Sequence, residues 1–172
     1  ALCDMSENET IALQKKAGTY ALLLRADDAD ASTATEIEVG ALGAMDVRAG
    51  FYVYVGSAFG PGGLRARVHR HARGDGALHW HIDYLRAVTS LDAVWYTYDS
   101  ARRECDWAAV LQEESSARVP LDGFGASDCD CVAHLVAFPA RPSVESVRAR
   151  VHSQCAGHAP IHQVAGEALR AK

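Results

Sequence analysis

Short apolar runs, broken by glycine and by polar or acidic turns, set the pattern of this chain. Residues 18–26 (GTYALLLRA) are apolar without alternation and end at Asp27-Asp28, which predicts a buried strand. The polar stretch 27–35 is expected to turn. Residues 36–39 (EIEV) alternate charge with β-branched side chains, as a half-exposed strand does. Residues 50–55 (GFYVYV) are apolar on both faces and predict a central strand. Pro61, Gly62 and Gly63 form a turn, and helix is expected over residues 64–73, stopped by Gly74. A second helix is expected over 81–88, a strand over 91–98 (LDAVWYTY), and a helix over 101–114 capped by Ser100. After a turn-rich loop at 120–125 come a strand over 132–138 and a helix over 143–152, with Ser143 as cap and Glu145 in its first turn. Residues 1–17 have weak periodicity and read as a lead-in, and beyond Gly157 the pattern assigns nothing.

That order predicts an α+β domain over residues 18–138. Its centre would be a small, mostly antiparallel sheet of three to four strands flanked by helices. A C-terminal strand and helix extension is expected, with residues 139–172 forming a helical tail.

Composition narrows the picture. A chain of 172 residues, 49% hydrophobic and 23% charged, is long and apolar enough to fold as one globular domain. No run of about 18 apolar residues exists to span a membrane. The N-terminal stretch carries acidic residues where a signal peptide has a basic, then apolar, segment, so a cytoplasmic protein is expected. The five cysteines, an odd number, then argue against a disulfide framework. The net charge of −5 argues against binding nucleic acid through bulk charge, but leaves room for a local basic stripe. Arginine far outnumbers lysine, a bias that a GC-rich genome explains first.

Four groups of residues carry candidate chemistry. Tyr20 lies on the first strand, and Tyr52 and Tyr54 share one face of the later one. Strands favour tyrosine for packing alone, but Tyr54 lies two residues before Gly56 and the glycine turn. On the helix that follows, Leu64 and Val68 face inward, Arg67 and His71 share a neighbouring face, and Arg65, His69 and Arg73 form another line; Arg70 adds to the stripe. No carboxylate lies within this run before Asp75, so the cationic face is expected to take an anion, and phosphate fits arginine best. Glu104 shares the apolar face of its helix with Trp107, Ala108 and Leu111. Either an arginine pairs with it or it holds a hard cation such as Mg²⁺. His79, His81 and Asp83 form a His-x-His-x-Asp pattern suited to a transition metal or to proton transfer, with Trp80 and Tyr84 packing beside it. Cys129, Cys131 and His134 read first as a packed loop with free thiols. The alternative is a structural Zn²⁺ completed by Cys155 or His152.

The ordered set resembles the GIY-YIG nuclease superfamily. Gly18-Thr19-Tyr20 is similar to its first motif and Tyr54-Val55-Gly56 to its second. Leu64-Arg65-Ala66-Arg67 with His71 resembles the helix that follows, and Glu104 falls where its metal-binding glutamate is expected. The resemblance spans about residues 18–115. The pieces FYVYVGSA, HWHIDYL and GFGASDCDCVAHL extend it to 138 and are similar to a prokaryotic branch called Uri-type or endonuclease III-like. The segment between the motifs is longer than in compact members, threonine replaces isoleucine in the first motif, and no counterpart of a late asparagine is visible. The spacer 59–63 lengthens the turn, so either Arg65 or Arg67 is the functional arginine, Arg67 by its register with His71.

The resemblance implies Mg²⁺-dependent hydrolysis of DNA phosphodiesters, with Mn²⁺ as a substitute and Glu104 as metal ligand. It implies that Arg67 stabilises the transition-state phosphate. Tyr20, with Tyr54 or His71, would orient or deprotonate the attacking water. Arg65, Arg70 and Arg73, with His79 and His81, would contact the nucleic acid. Cleavage directed by structure rather than sequence is expected, with RNA open as a target. The rival expectation is a non-catalytic nucleic-acid-binding module with a degenerate site.

Overall fold

The strand expected over 18–26 is Thr19–Ala26 (β1), and it lies at the centre of the sheet. The computed structural model of the protein describes residues 12–27, 34–74 and 76–170. Most of the expected lead-in, residues 28–33 of the expected turn, Cys3, Asp75 and Lys172 lie outside them. The remaining elements are β2 (Thr35–Glu38), β3 (Ala44–Val47), β4 (Gly50–Ser57), α1 (Gly63–Arg73), α2 (His81–Arg86), β5 (Ser90–Thr97), α3 (Glu104–Gln112), β6 (Leu135–Phe138), α4 (Val144–Gln154), β7 (His162–Ala165) and α5 (Gly166–Arg170).

Every strand pairing is antiparallel, and the main sheet runs β6-β4-β1-β5-β7, with β2 and β3 forming a separate two-stranded ribbon. The α+β class is as expected, but the sheet has five strands rather than three or four. The fifth is β7, which lies in the expected helical tail and pairs with the edge of β5. Strand β3 was not foreseen because four residues (AMDV) give too short an alternation to read.

Apolar residues on both faces of a strand require cover on both faces, and the sheet receives it. Tyr20, Leu22 and Leu24 of β1 join Tyr52 and Tyr96 in one buried cluster with Leu64 and Val68 of α1 and Ile82 and Leu85 of α2. Ala21 and Leu23 point the other way and join Val53, Val55 and Trp95 in a second cluster with Trp107 and Leu111 of α3 and Val147 and Val151 of α4. The sheet is therefore the middle layer, with α1 and α2 on one side and α3 and α4 on the other. Among the described residues no helix is long and apolar enough to cross a membrane.

Candidate active site at the end of the sheet

A cavity of about 580 Å³ opens beside the C-terminal end of β4, and Tyr20, Tyr54, Arg67 and Glu104 all line it. Four different elements deliver those side chains. Tyr20, on β1, stands opposite Gly56 on β4. A Cβ at Gly56 would come within 2.6 Å of the Tyr20 hydroxyl and Cζ, so only glycine leaves room for the phenol there. The Tyr20 hydroxyl is hydrogen-bonded to Nε2 of His71 at 2.9 Å, and the Tyr54 ring lies 6.5 Å from that of Tyr20 and 6.4 Å from that of His71. Tyr20 is 1% exposed and His71 sits behind it, buried, with its Nδ1 lacking a hydrogen-bond partner.

Burial dominates the titration of all three groups. It raises the Tyr20 pKa well above that of a free phenol, and nearby Tyr54 adds to the rise while Arg67 and Arg70 oppose it. It pushes Tyr54 up to about 12 against the pull of Arg67. Burial and then Arg70 push His71 down to about 3. At neutral pH two neutral phenols therefore stand at the cavity wall, with a neutral imidazole behind Tyr20.

The basic stripe of α1 divides between two places. The Arg67 guanidinium lies 4.4 Å from the centroid of the exposed Trp80 ring, at the cavity, and the Arg70 guanidinium lies 4.1 Å from it. Arg70 is not an unpaired cation: Asp83 grips it with both carboxylate oxygens, at 3.0 and 3.1 Å. Sequence order concealed this pair because the balancing acid comes from α2. Asp83 also accepts the backbone N–H groups of His79 and Trp80, which caps the start of α2. Burial pushes the Asp83 carboxyl up, but Arg70 and those two amides outweigh it and hold the group below its ordinary value. Asp83 is thereby occupied, so the His-x-His-x-Asp pattern does not assemble as a metal site. His79 and His81 line the cavity, and Nδ1 of His81 accepts the N–H of Gly125 at 2.9 Å. Trp80, expected to pack, is exposed instead. Arg65 and Arg73 line a separate cavity of about 570 Å³ with Lys15 and Leu169, away from Tyr20 and Glu104.

Glu104 is the first residue of α3, three positions later than expected. The delay has a cause. Asp99 accepts the N–H of Ala101 at 2.9 Å and the Arg103 side chain at 3.1 Å, and the buried Thr19 hydroxyl accepts the Arg103 N–H at 3.1 Å. These bonds fix a bend at residues 100–101, across the end of β1, before the chain can coil. Although α3 packs on the face opposite α1, its first side chain reaches the cavity past the end of the sheet. There β6 pairs with β4 no further than Tyr54, and Gly56 has no side chain. The Glu104 side chain is 17% exposed, one oxygen lies 3.9 Å from Arg102, and the other is buried with no hydrogen-bond partner. A buried carboxylate oxygen without a donor is one that a hard cation would satisfy.

Sequence reasoning missed two cavity features. Arg102 lines it, donates to the Ser57 hydroxyl at 3.1 Å and stacks 4.6 Å over Phe59. Cys105 joins Cys129, Cys131 and His134 in a group whose ligand atoms all lie within 4.8 Å of one another, and which could hold a metal ion. The fourth member is thus Cys105, not Cys155 or His152. The His152 ring is instead hydrogen-bonded to the Ala159 carbonyl at 3.2 Å, and Cys155 ends α4. Nothing local pairs Cys105 with a loop that follows it by more than twenty residues; its adjacency to Glu104, itself a candidate ligand, was the available signal.

No curated protein and no solved structure matches the chain. One family does match, described as a domain of unknown function, DUF123, over residues 19–157. That span holds every residue of the cavity and of the cysteine–histidine group. The protein belongs to the DUF123 family.

Proposed function

We propose that the cavity is the active site of a metal-dependent endonuclease that hydrolyses DNA phosphodiester bonds, directed by nucleic-acid structure rather than sequence. One observation carries the reading: two phenols, a guanidinium and a carboxylate, spread over 85 residues of sequence, line one cavity. Their chemistry suits phosphate. Arg67 binds the phosphate oxygens and offers its charge where negative charge develops; loss of one such contact typically costs about 10²–10³ in rate. Glu104 would hold a Mg²⁺, with Mn²⁺ as its substitute. That ion would neutralise the scissile phosphate and the departing 3′ oxygen.

The titration directions narrow the role of the tyrosines. A phenol whose pKa is raised by burial is not a standing base. Tyr20, fixed by His71, therefore orients the attacking water through its hydroxyl, and Tyr54 borders the same space. Arg102, His79 and His81 stand at the cavity and are the contacts for the flanking backbone. Arg65 and Arg73 lie away from it, so they leave this reading as site contacts. We read the Cys₃His group as a structural metal site rather than a catalytic one. Its free thiols suit the reducing cytoplasm, where we place the protein.

The test is a panel of nicked, branched, flapped and single-stranded DNAs, with matched RNAs, incubated with Mg²⁺ or Mn²⁺. Cleavage is expected with either ion and none with EDTA. Arg67→Ala and Glu104→Ala are expected to lower the rate about 10²–10³-fold with affinity for the substrate largely kept. Binding of nucleic acid by the parent chain with no cleavage under any metal would instead identify a non-catalytic binding module. Preferential cleavage of RNA would reassign the substrate.

A further inference from the structure

We propose that Cys105, Cys129, Cys131 and His134 form a closed four-ligand zinc site that pins the loop of residues 125–134 to the first turn of α3 and thereby sets the position of Glu104. The zinc site stands on its own geometry; its effect on Glu104 rests on the function proposed above.

The donor set selects the metal. Three thiolates and an imidazole are soft and borderline ligands, which suit zinc and exclude the hard cation that Glu104 would hold. The spacing fits as well. Bonds of about 2.0–2.3 Å in a tetrahedron separate neighbouring ligand atoms by roughly 3.3–3.8 Å. Here Nε2 of His134 lies 3.3 Å from Sγ of Cys129 and 3.8 Å from Sγ of Cys105, and all four ligand atoms fall within 4.8 Å. With four protein ligands the site is closed, as structural zinc sites are, and leaves no position for a substrate.

The fold explains what the site would fasten. Residues 125–133 contain no helix or strand of their own. His134 is anchored: its N–H donates to Phe124 O at 2.8 Å and its carbonyl accepts the Val55 N–H at 2.9 Å, next to Gly56. Cys129 has only a long 3.5 Å backbone bond to Ala126 O within the loop, and Cys105 sits exposed on α3. Binding one ion converts three separate pieces, the end of β4, the loop and the start of α3, into one body. Cys105 follows Glu104 directly, so fixing its thiol limits the rotation of the first turn that carries the carboxylate. The same ion holds Cys129 and His134 as cavity wall.

The test uses the full chain, purified without chelator, and elemental analysis for zinc and iron. One zinc and no iron per chain are expected. Replacement by Co²⁺ is expected to give the strong visible bands of a tetrahedral thiolate site. Cys105→Ser is expected to weaken zinc by more than about tenfold in competition with a chelator, and Cys155→Ser to leave it unchanged. Mn²⁺ bound at Glu104, followed by electron paramagnetic resonance, is expected to weaken at least about threefold in Cys105→Ser and not in Cys155→Ser. Iron in place of zinc, a disulfide among these cysteines by mass, or no zinc after reconstitution would overturn the site. Zinc held equally well by Cys105→Ser would remove Cys105 from it, and Mn²⁺ affinity unchanged in that variant would overturn the positioning role. A zinc-loaded protein that cleaves nothing would sink the nuclease proposal and leave the zinc site standing.

Discussion

His71 is buried beside Arg70 and Arg67, and its imidazole is pushed down to about 3 by burial first and Arg70 next, with Asp83 pulling the other way. Its role in stability follows from the difference between the folded and unfolded chains. In the unfolded chain a histidine titrates near about 6.5. Above that pH neither state binds the proton. Below it the unfolded chain takes a proton that the folded protein refuses, so the folded state loses ground until the pH reaches about 3. The stabilisation is thus complete above about 6.5 and drains away between about 6.5 and the folded value. Between pH 7 and pH 5 the wild type is expected to lose about 2 kcal/mol more than His71→Gln, read from urea midpoints of both proteins. Parallel pH profiles for the two would mean that His71 is protonated or solvated in the folded protein, and that Tyr20 is not fixed by a neutral imidazole.

At the level of elements, the start of α3 decides where the acid of the cavity sits. The Thr19 hydroxyl is not idle: it accepts the Arg103 N–H immediately before Glu104. Thr19→Val keeps the shape and removes that acceptor inside the fold, which is expected to cost about 1–3 kcal/mol in thermal unfolding, while Thr19→Ser keeps most of it. A matching loss of Mn²⁺ affinity is expected in the valine variant alone. Equal stability of the valine variant and the wild type would mean that this hydrogen bond does not hold the helix start. The same example shows what could be read beforehand. Strands β1, β4 and β5 and helix α1 were legible because each is a local pattern: an apolar run bounded by glycine or acid, or a helix opened by a Pro-Gly-Gly turn and closed by Gly74. Ser143 as a cap was equally local, and its hydroxyl accepts the Ser146 N–H. The position of Glu104, the Arg70–Asp83 pair and the arrival of Cys105 beside Cys129 all depend on partners brought together by the sheet. A charge run in isolation looks unpaired when its counterion lies on the next helix. Two separated motifs with cysteine show no spacing that betrays their contact.

The whole molecule closes on its C-terminal segment, which the sequence pattern left unassigned. Residues beyond 157, where the family match ends, still bear on the core. Strand β7 pairs with Ala93–Tyr96 of β5, and the Gln163 side chain accepts the Trp95 indole N–H at 2.9 Å. Ile161 and Leu169 are buried in the clusters on opposite faces of the sheet. Just upstream, Ala159 donates to Asp99 and His158 accepts the Trp107 indole N–H, both at 2.9 Å, so the segment also braces the turn that leads to Glu104. Removing residues 161–172 would strip two buried apolar side chains and a strand ladder while keeping that brace. Each side chain is worth roughly 1.5–3 kcal/mol of burial, and about 1 kcal/mol moves the midpoint of a domain this size by 2–4 °C. The truncated chain is therefore expected to melt roughly 10 °C or more below the full chain. It also bares the hydrogen-bonding edge of β5, whose residues Ala93, Val94, Trp95 and Tyr96 are all apolar or aromatic, so its sedimentation is expected to become concentration-dependent. A truncated chain with an unchanged melting temperature and no self-association would show that β7 is an ornament on a four-stranded sheet. Lower stability without self-association would place the effect in the lost apolar contacts rather than in the exposed strand edge.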